Sequence, residues 1–161
     1  MQTSSKIIEL NEFIKKLKSI RSDGKRIVFT NGCFDILHVG HVRYLQRAKA
    51  EGDILVIGLN SDRSVHVIKG AKRPVISEGQ RAEVLASIAF VDYIILFDEP
   101  DPYHLIAAIA PDVLVKGADW AEEEIVGADA IKARGGRVLR VPVVPGVSTS
   151  QIIEEIVRRY R

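Results

Sequence analysis

Two histidines separated by a valine and a glycine, His38-Val39-Gly40-His41, are the residues of this chain best suited to chemistry. They follow Ile27-Val28-Phe29-Thr30, a β-favouring run that breaks at Asn31-Gly32, and they precede a helical pattern from Val42 to Ala50. A strand, a glycine-containing turn and a helix N-terminus in that order make a half-site for an anion. Free backbone N–H groups leave the first helical turn, and the helix dipole adds partial positive charge there. On a helical path this spacing puts both imidazoles on one face. Their N–H groups would converge on a guest over the helix end, a phosphate above all. Two other readings stay open. A His-x-x-His zinc site lacks nearby partners, since the only cysteine is Cys33 and His66 and His104 lie far along the chain. The pair is otherwise simply structural. A dinucleotide-binding G-x-G-x-x-G is absent.

The elements that must position these residues can be read from the pattern. Ile7, Ile8, Phe13, Ile14 and Leu17 predict an amphipathic helix from about Ser5 to Ser19, within an appended N-terminal segment 1–24. After the His-bearing helix, Ile54 to Leu59 is a nearly continuous apolar strand ending in Asn60-Ser61-Asp62. Val65 to Pro74 reads as a basic loop carrying Lys69, Lys72 and Arg73, placed to reach phosphates near the histidines. Ser77-x-x-Gln80 is a capping box for a helix to about Ala89. Arg81 in its first turn opposes the dipole, which marks it as a partner for phosphate or for a structural ion pair. Tyr93 to Phe97 is a third strand, and Asp101-Pro102 opens a helix to about Ala110. Val113 begins a fourth strand that runs into Lys116-Gly117-Ala118-Asp119-Trp120. Glu122 to Arg134 is expected to be mostly helical, Val138 to Val141 is a fifth strand, and Ser148-x-x-Gln151 caps a last helix from Thr149 to Tyr160. Five apolar strands alternating with helices specify an α/β fold, a parallel sheet covered on both faces.

With 161 residues the chain is expected to be one domain, and 47% apolar against 27% charged residues is the balance of an ordinary globular protein. A net charge of +2 gives no argument for nucleic acid or a membrane surface as partner. One cysteine excludes an internal disulfide framework. The N-terminal residues do not read as a signal peptide and no apolar run is long enough to span a bilayer, so a cytoplasmic location is expected.

The string Asn31-Gly32-Cys33-Phe34-Asp35-Ile36-Leu37-His38-Val39-Gly40-His41 resembles the signature of the cytidylyltransferase-like nucleotidyltransferases. Its F-D-x-x-H-x-G-H form directly after a strand is far more specific than a bare H-x-G-H. The resemblance runs from Lys25 to Ile156 and is nearest to the adenylyltransferases of ADP-heptose synthesis, which join ATP to D-glycero-β-D-manno-heptose 1-phosphate. Lys69-Gly70-Ala71-Lys72-Arg73-Pro74-Val75, Asn60-Ser61-Asp62, Pro111 to Gly117 and Gly146-Val147-Ser148-Thr149-Ser150 carry it. It implies a Rossmann-like α/β/α sandwich with strand order 3-2-1-4-5, and attack by a sugar-phosphate oxygen on the α-phosphate of a nucleoside triphosphate with release of pyrophosphate.

His38, His41 and Lys72 are then the expected catalytic residues. Thr30, Asn31, Gly32, Cys33, Phe34, Gly40, Lys69, Arg73, Lys116, Gly117, Asp119, Trp120, Val147, Ser148 and Thr149 are expected around the nucleotide and its phosphates, with Asp35, Asn60 and Arg81 toward the substrate. Mg²⁺ is expected to be held mainly by substrate phosphates, with no protein metal ligand. The sugar phosphate would come from a separate kinase. Homodimers are common among such proteins, and no patch in the sequence identifies that contact. Glycerol-3-phosphate cytidylyltransferase fits less well, because the arginine it typically carries before the last helix is Val143 here. A GTP-using heptose enzyme and a nucleotide-binding sensor without turnover are the remaining alternatives.

Overall fold

The computed structural model describes residues 3–161; Met1 and Gln2, at the head of the expected N-terminal segment, lie outside the described residues. The strands are β1 (Ile27–Gly32), β2 (Ile54–Asn60), β3 (Tyr93–Phe97), β4 (Val113–Gly117) and β5 (Arg137–Val141). They form one parallel sheet in the order β3-β2-β1-β4-β5, as the resemblance implies. The helices are α1 (Leu10–Ser22), α2 (Val39–Lys49), α3 (Asp62–Lys69), α4 (Glu78–Ala86), α5 (Tyr103–Ile109), α6 (Ala128–Ala133) and α7 (Thr149–Tyr160).

Alternation along the strands divides the core in two. Ile27, Phe29, Val56, Ile95 and Leu114 face one side, where Phe13 and Leu17 of α1, Leu105 and Ile109 of α5 and Ile131 of α6 cover them. Val28, Leu55, Ile57, Ile94, Val113 and Val115 face the other, under Leu45 and Ala48 of α2 and Ala82 and Leu85 of α4. Both faces are therefore apolar, as a parallel sheet requires. The topology switches between β1 and β4. β1 pairs with β2 from Ile27↔Ile54 to Gly32↔Leu59, but its pairing with β4 is recorded only at Val28↔Val113 and Phe29↔Leu114. A crevice at the carboxyl edge of such a switch is where open α/β sheets bind ligands.

Several local expectations give way to tertiary contacts. The N-terminal helix begins at Leu10, not Ser5: Thr3–Lys6 is a 3-10 turn, and Ile7 instead bridges Ile94 at the sheet edge. The first half of the expected basic loop is helical in α3, capped by the Ser61 hydroxyl accepting from the Ser64 N–H. Ser77 precedes α4 without a side-chain cap, and α4 ends at Ala86. Glu122 to Arg134 is a short 3-10 turn, Glu122–Glu124, followed by α6. At α7 the Ser148 cap forms as expected, by accepting from the Gln151 N–H.

Gly58, in the middle of β2, is set by packing rather than by a turn. A Cβ there would lie 2.9 Å from Phe29 Cζ and 3.2 Å from Asn31 Cβ. Gly58→Ala is expected to destabilise the protein by about 1–3 kcal/mol through overpacking. Urea unfolding checks this, and an unchanged midpoint would mean that the Phe29 ring yields freely.

Candidate active site

The helix that carries the histidines starts earlier than its apolar pattern suggests, at Val39 rather than Val42. His38 is its N-cap residue, in extended conformation and without a side-chain cap bond. Its carbonyl accepts from the Val42 N–H, so the N–H groups of the turn before it have no helical acceptor. The glycine between the histidines has a steric reason. A Cβ on Gly40 would stand 2.9 Å from both Cε1 and Nδ1 of His38, because that ring folds back across the first turn. There it stacks on His41, with centroids 3.8 Å apart and planes 21° apart. Phe34 flanks the stack, its ring 5.3 Å from that of His41. Phe34 has φ of 44°, and its Cε2 lies 3.0 Å from where a Cβ of Gly32 would be. A bulky residue in the left-handed region is strained. Here burial of the ring and the absence of a side chain at Gly32 hold it.

Among the described residues, the buried side-chain atoms without a partner are Nδ1 of His38, Nδ1 of His41 and Oδ1 of Asn31. An unpaired buried polar group costs about 1–3 kcal/mol, and three at one sheet edge mark a place that a ligand completes. Burial lowers the pKa of His38. Burial, with the neighbouring His38 adding to it, brings that of His41 down to about 4. At neutral pH the stack is therefore uncharged and acts through N–H donors rather than through cationic charge.

The positive charge comes from elsewhere, and the structure sorts the expected basic residues. Burial opposes ionisation of the Asp35 carboxyl, but the Val75 and Ile76 N–H groups and the Arg73 guanidinium outweigh it and hold its pKa below the usual range. Arg73 Nε donates to Asp35 at 2.6 Å, and Val75 N and Ile76 N donate at 2.9 Å. His66 bonds to the Arg73 carbonyl and ties α3 to the same loop. Lys69 and Arg73 stand close enough to Cys33 for their charges to act on its thiol. Lys72 lies exposed in the same loop, and among the described residues no hydrogen bond or ion pair joins it to the histidines.

Four expected site residues are committed to the protein itself. Arg81, 2% exposed, donates to the carbonyls of Ile76, Cys33 and Asn60 and to the Asp62 carboxylate. The unfavourable charge in the first turn of α4 thus answers to this carboxylate and these carbonyls, and not to a phosphate. Asn60 is buried, with its amide donating to the Ser64 hydroxyl. Asp35 anchors the basic loop, its carboxylate accepting from Arg73, Val75 and Ile76. The fully buried Thr30 hydroxyl is bonded to Tyr44 Oη at 2.7 Å. Tyr44 also packs against the apolar cluster that holds Leu45 and Ala48 of α2. Its hydroxyl also donates to the Val115 carbonyl at 3.0 Å, pinning α2 to β1 and β4, and burial pushes the phenol pKa up. A tyrosine opposite a threonine in an apolar strand was the available signal.

Two further segments reach this edge. Lys116, near the end of β4, has its pKa lowered to about 8 by burial, with Asp119 and Cys33 acting in the opposite sense. Its Nζ lies 5.7 Å from the ring centre of the half-exposed Trp120. Gly117 leaves the room that the Asp119 carboxylate occupies. Before α7, the Val147 carbonyl lies 3.7 Å from the Cβ position of Gly40, and Thr149 Oγ1 is 3.5 Å from the Ile36 carbonyl that accepts from it. The β1–α2 turn, the end of β4 and the start of α7 are thus brought together. Among the described residues no group of three or more His, Cys, Asp and Glu side chains is arranged to hold a metal. No described helix is long and apolar enough to cross a membrane.

A strand-to-helix turn bearing a stacked H-x-G-H pair at the switch point of a 3-2-1-4-5 sheet defines a class, and the sequence model of that class matches. Residues 29–155 fit the cytidylyltransferase-like family, and this chain belongs to it. The chain is 51% identical over 158 residues to "Bifunctional protein HldE" of Citrifermentans bemidjiense, covering 98% of this chain and 32% of that protein. It is 52% identical to the protein of the same name from Methylobacillus flagellatus, covering 95% of this chain and 31% of the other. It therefore spans about a third of the length of these relatives. Among solved structures it is similar to the lipopolysaccharide core biosynthesis protein from Thermoplasma volcanium, at 32% identity and a TM-score of 0.62 over 75% of this chain and 98% of that one. Pantoate-beta-alanine ligase from Francisella tularensis shares the fold at 18% identity, with a TM-score of 0.59 over 94% of this chain and 78% of that one.

Two outcomes follow from this geometry. A histidine with a depressed pKa is held neutral by the fold while the unfolded chain takes up a proton, so stability falls as pH drops from about 6.5 toward 4. His41→Gln should lose less Tm than wild type over that interval in the ligand-free protein; equal losses would mean that the fold does not hold His41 neutral. Arg81→Met should cost about 2–5 kcal/mol in urea unfolding, because three carbonyls lose their buried donor and Asp62, itself partly exposed, loses its partner. A cost below about 1 kcal/mol would show that the guanidinium network is dispensable.

Proposed function

We propose that this chain is a nucleotidyltransferase domain that transfers the nucleoside monophosphate of ATP to D-glycero-β-D-manno-heptose 1-phosphate and releases pyrophosphate, as in the making of ADP-heptose for the lipopolysaccharide core. The observation that carries the reading is the neutral His38–His41 stack, with buried unpartnered Nδ1 atoms, at an N-terminus whose backbone N–H groups are free. The acceptor assignment is supported by the K-G-x-x-R-P-V run at Lys69 to Val75, by the relatives named HldE, and by the lipopolysaccharide protein of similar fold.

In this reading the reaction needs no covalent nucleophile. An acceptor phosphate oxygen attacks the α-phosphorus, a new P–O bond forms, and the bond to the β-phosphate oxygen breaks with its electron pair leaving on pyrophosphate. The chain positions the reactants and stabilises charge. The imidazole N–H groups of His38 and His41 and the first-turn N–H groups of α2 donate to phosphate oxygens. Lys69, Lys72 and Arg73 supply positive charge from the loop that Asp35 anchors, and Ser148 and Thr149 border the site from the start of α7. Mg²⁺ enters with the triphosphate, as part of the substrate. Each charge-assisted bond contributes about 1.5–3 kcal/mol. The sugar phosphate is the product of a kinase acting on another chain or another domain, and the domain acts in the cytoplasm.

The test is pyrophosphate release in the presence of Mg²⁺, with ATP, CTP and GTP each offered to heptose 1-phosphate and to glycerol 3-phosphate. Turnover with ATP and heptose 1-phosphate is expected. Turnover with CTP and glycerol 3-phosphate alone would overturn the acceptor, and nucleotide binding without release in any combination would make the chain a sensor. His41→Ala should retain its fold and lose roughly tenfold to a hundredfold or more in kcat. Lys72→Ala should raise KM or lower kcat with no change in Tm; wild-type kinetics in it would return that lysine to plain surface.

A further inference from the structure

The amino edge of the sheet, at the other end of the strands from the histidines, carries a cluster of arginines. Arg26 stands just before β1, Arg134 just after α6 and Arg137 at the start of β5. They line a cavity of about 340 Å³ together with Pro111, Asp112 and Gly135. Its volume lies at the small end of the roughly 300–1,000 Å³ of small-molecule sites. Like charges gathered around one concavity repel each other, and a bound anion relieves that repulsion.

Cations beside helix C-termini commonly answer free carbonyls and the negative end of the dipole. Here other donors already take those carbonyls. Arg21 of α1 donates to Ile109 and Ala110 at the end of α5, at 2.8 and 3.0 Å. At the end of α6 the Ile131 carbonyl accepts from the Arg134 and Gly136 N–H groups, and the Lys132 carbonyl from the Gly135 N–H. Asp112, the acid that lines the cavity, has its carboxylate on the Ile27 N–H at 2.7 Å. Arg137 pairs with Glu51 at 2.5 Å, with both side chains partly exposed. The side chains of Arg26 and Arg134 are exposed and take part in no hydrogen bond or ion pair among the described residues. The backbone beneath them is fixed. The Arg26 N–H donates to the Asp53 carboxylate at 2.8 Å, and the Arg137 N–H to the Asp112 carbonyl at 2.9 Å.

We propose that Arg26, Arg134 and Arg137 form a binding site for a small phosphate-bearing anion, remote from the histidine turn. A guanidinium presents its N–H groups as a fork that fits two oxygens of one phosphate. A phosphate group carries about −1.5 to −2 charge at neutral pH, more than a carboxylate brings to the same space. The anion would join the head of β1, the end of α6 and the head of β5 across β4, beside the seam where β1 and β4 pair at only two recorded positions. This site does not depend on the nucleotidyltransferase reading, which concerns the opposite edge of the sheet.

The experiment is an NMR titration of the ¹⁵N-labelled chain with sodium pyrophosphate, and separately with sodium phosphate, without Mg²⁺ and at constant ionic strength set by chloride. The amide signals of Gly135 and Gly136 report on the cavity, and that of Gly40 reports on the histidine turn. Saturable shifts at Gly135 and Gly136 are expected with both anions. In the double variant Arg26→Met, Arg134→Met the affinity read at these two glycines should fall about tenfold, since each exposed guanidinium contributes at most about 1 kcal/mol. The affinity read at Gly40 should stay within about twofold of wild type, a change too small to count as a lost contact. Tm of the anion-free variant should be unchanged or higher, because like-charge repulsion has been reduced. The proposal is overturned by an absence of saturable shifts at Gly135 and Gly136, or by undiminished affinity there in the double variant. An equal loss at all three glycines overturns it too, since that marks a general effect of net charge. Should the double variant fail to fold, the readout is taken on Arg134→Lys, which keeps the charge without the fork. Its affinity at Gly135 and Gly136 should fall about threefold, and an unchanged value there overturns the site.

Discussion

The carboxyl edge of this sheet is held by a buried guanidinium. Arg81 reaches the turn after β1 through Cys33, the end of β2 through Asn60, the start of α3 through Asp62 and the loop before α4 through Ile76. Each acceptor belongs to a different segment, and a planar fork with several fixed donors can join them where a lysine could not. Asp35 is its counterpart of opposite charge, taking donors from Arg73, Val75 and Ile76. The two ions are compensated within separate networks. Burying either without its set would cost several kcal/mol, so each fixes its loops in one arrangement.

That frame lets the histidine site be small and uncharged. Gly40 gives the His38 ring space to lie over the first turn of α2, and Gly32 gives Phe34 space to brace His41. Neutral imidazoles do not repel one another at stacking distance, which two imidazolium ions would. Donors held in place ahead of the ligand need no rearrangement as charge builds on a phosphate, and fixed dipoles in a partly buried site act more strongly than in water. Cationic charge is kept on Lys69 at the rim and on Lys116, while that of Arg73 is met by Asp35.

Much of this was legible in the residues. Runs such as Ile54 to Leu59 and Val113 to Val115 are apolar on both faces and could only be covered strands, and the strand–turn–helix order around His38 and His41 marked the candidate site. What escaped was decided by distant partners. Arg81 and Asp35 are polar residues beside a phosphate-like site, and nothing within a few residues of either reveals that carbonyls and N–H groups from other segments satisfy them. The Thr30 hydroxyl is taken up by Tyr44, fourteen positions further along the chain. Ile7 and Ile8 fit a helical period as well as an extended one, and only the neighbouring edge of β3 decides between them.

The small bridge at Ile7 has a consequence for association. β3 is an outer strand of the sheet, and an outer strand presents unpaired backbone groups on which another chain can align. Ile7 pairs with Ile94 there, and the Ile8 N–H donates to the Ile94 carbonyl at 2.9 Å. Lys6 adds a donor to the Ile88 carbonyl, which clamps the segment against the end of the preceding helix. The chain thereby covers the middle of its own exposed margin. Residues remote from the β1–β4 crevice thus cover the edge on which another chain could align, so protection against fibre-like stacking and the candidate site reside in different parts of the sequence and are free to change independently.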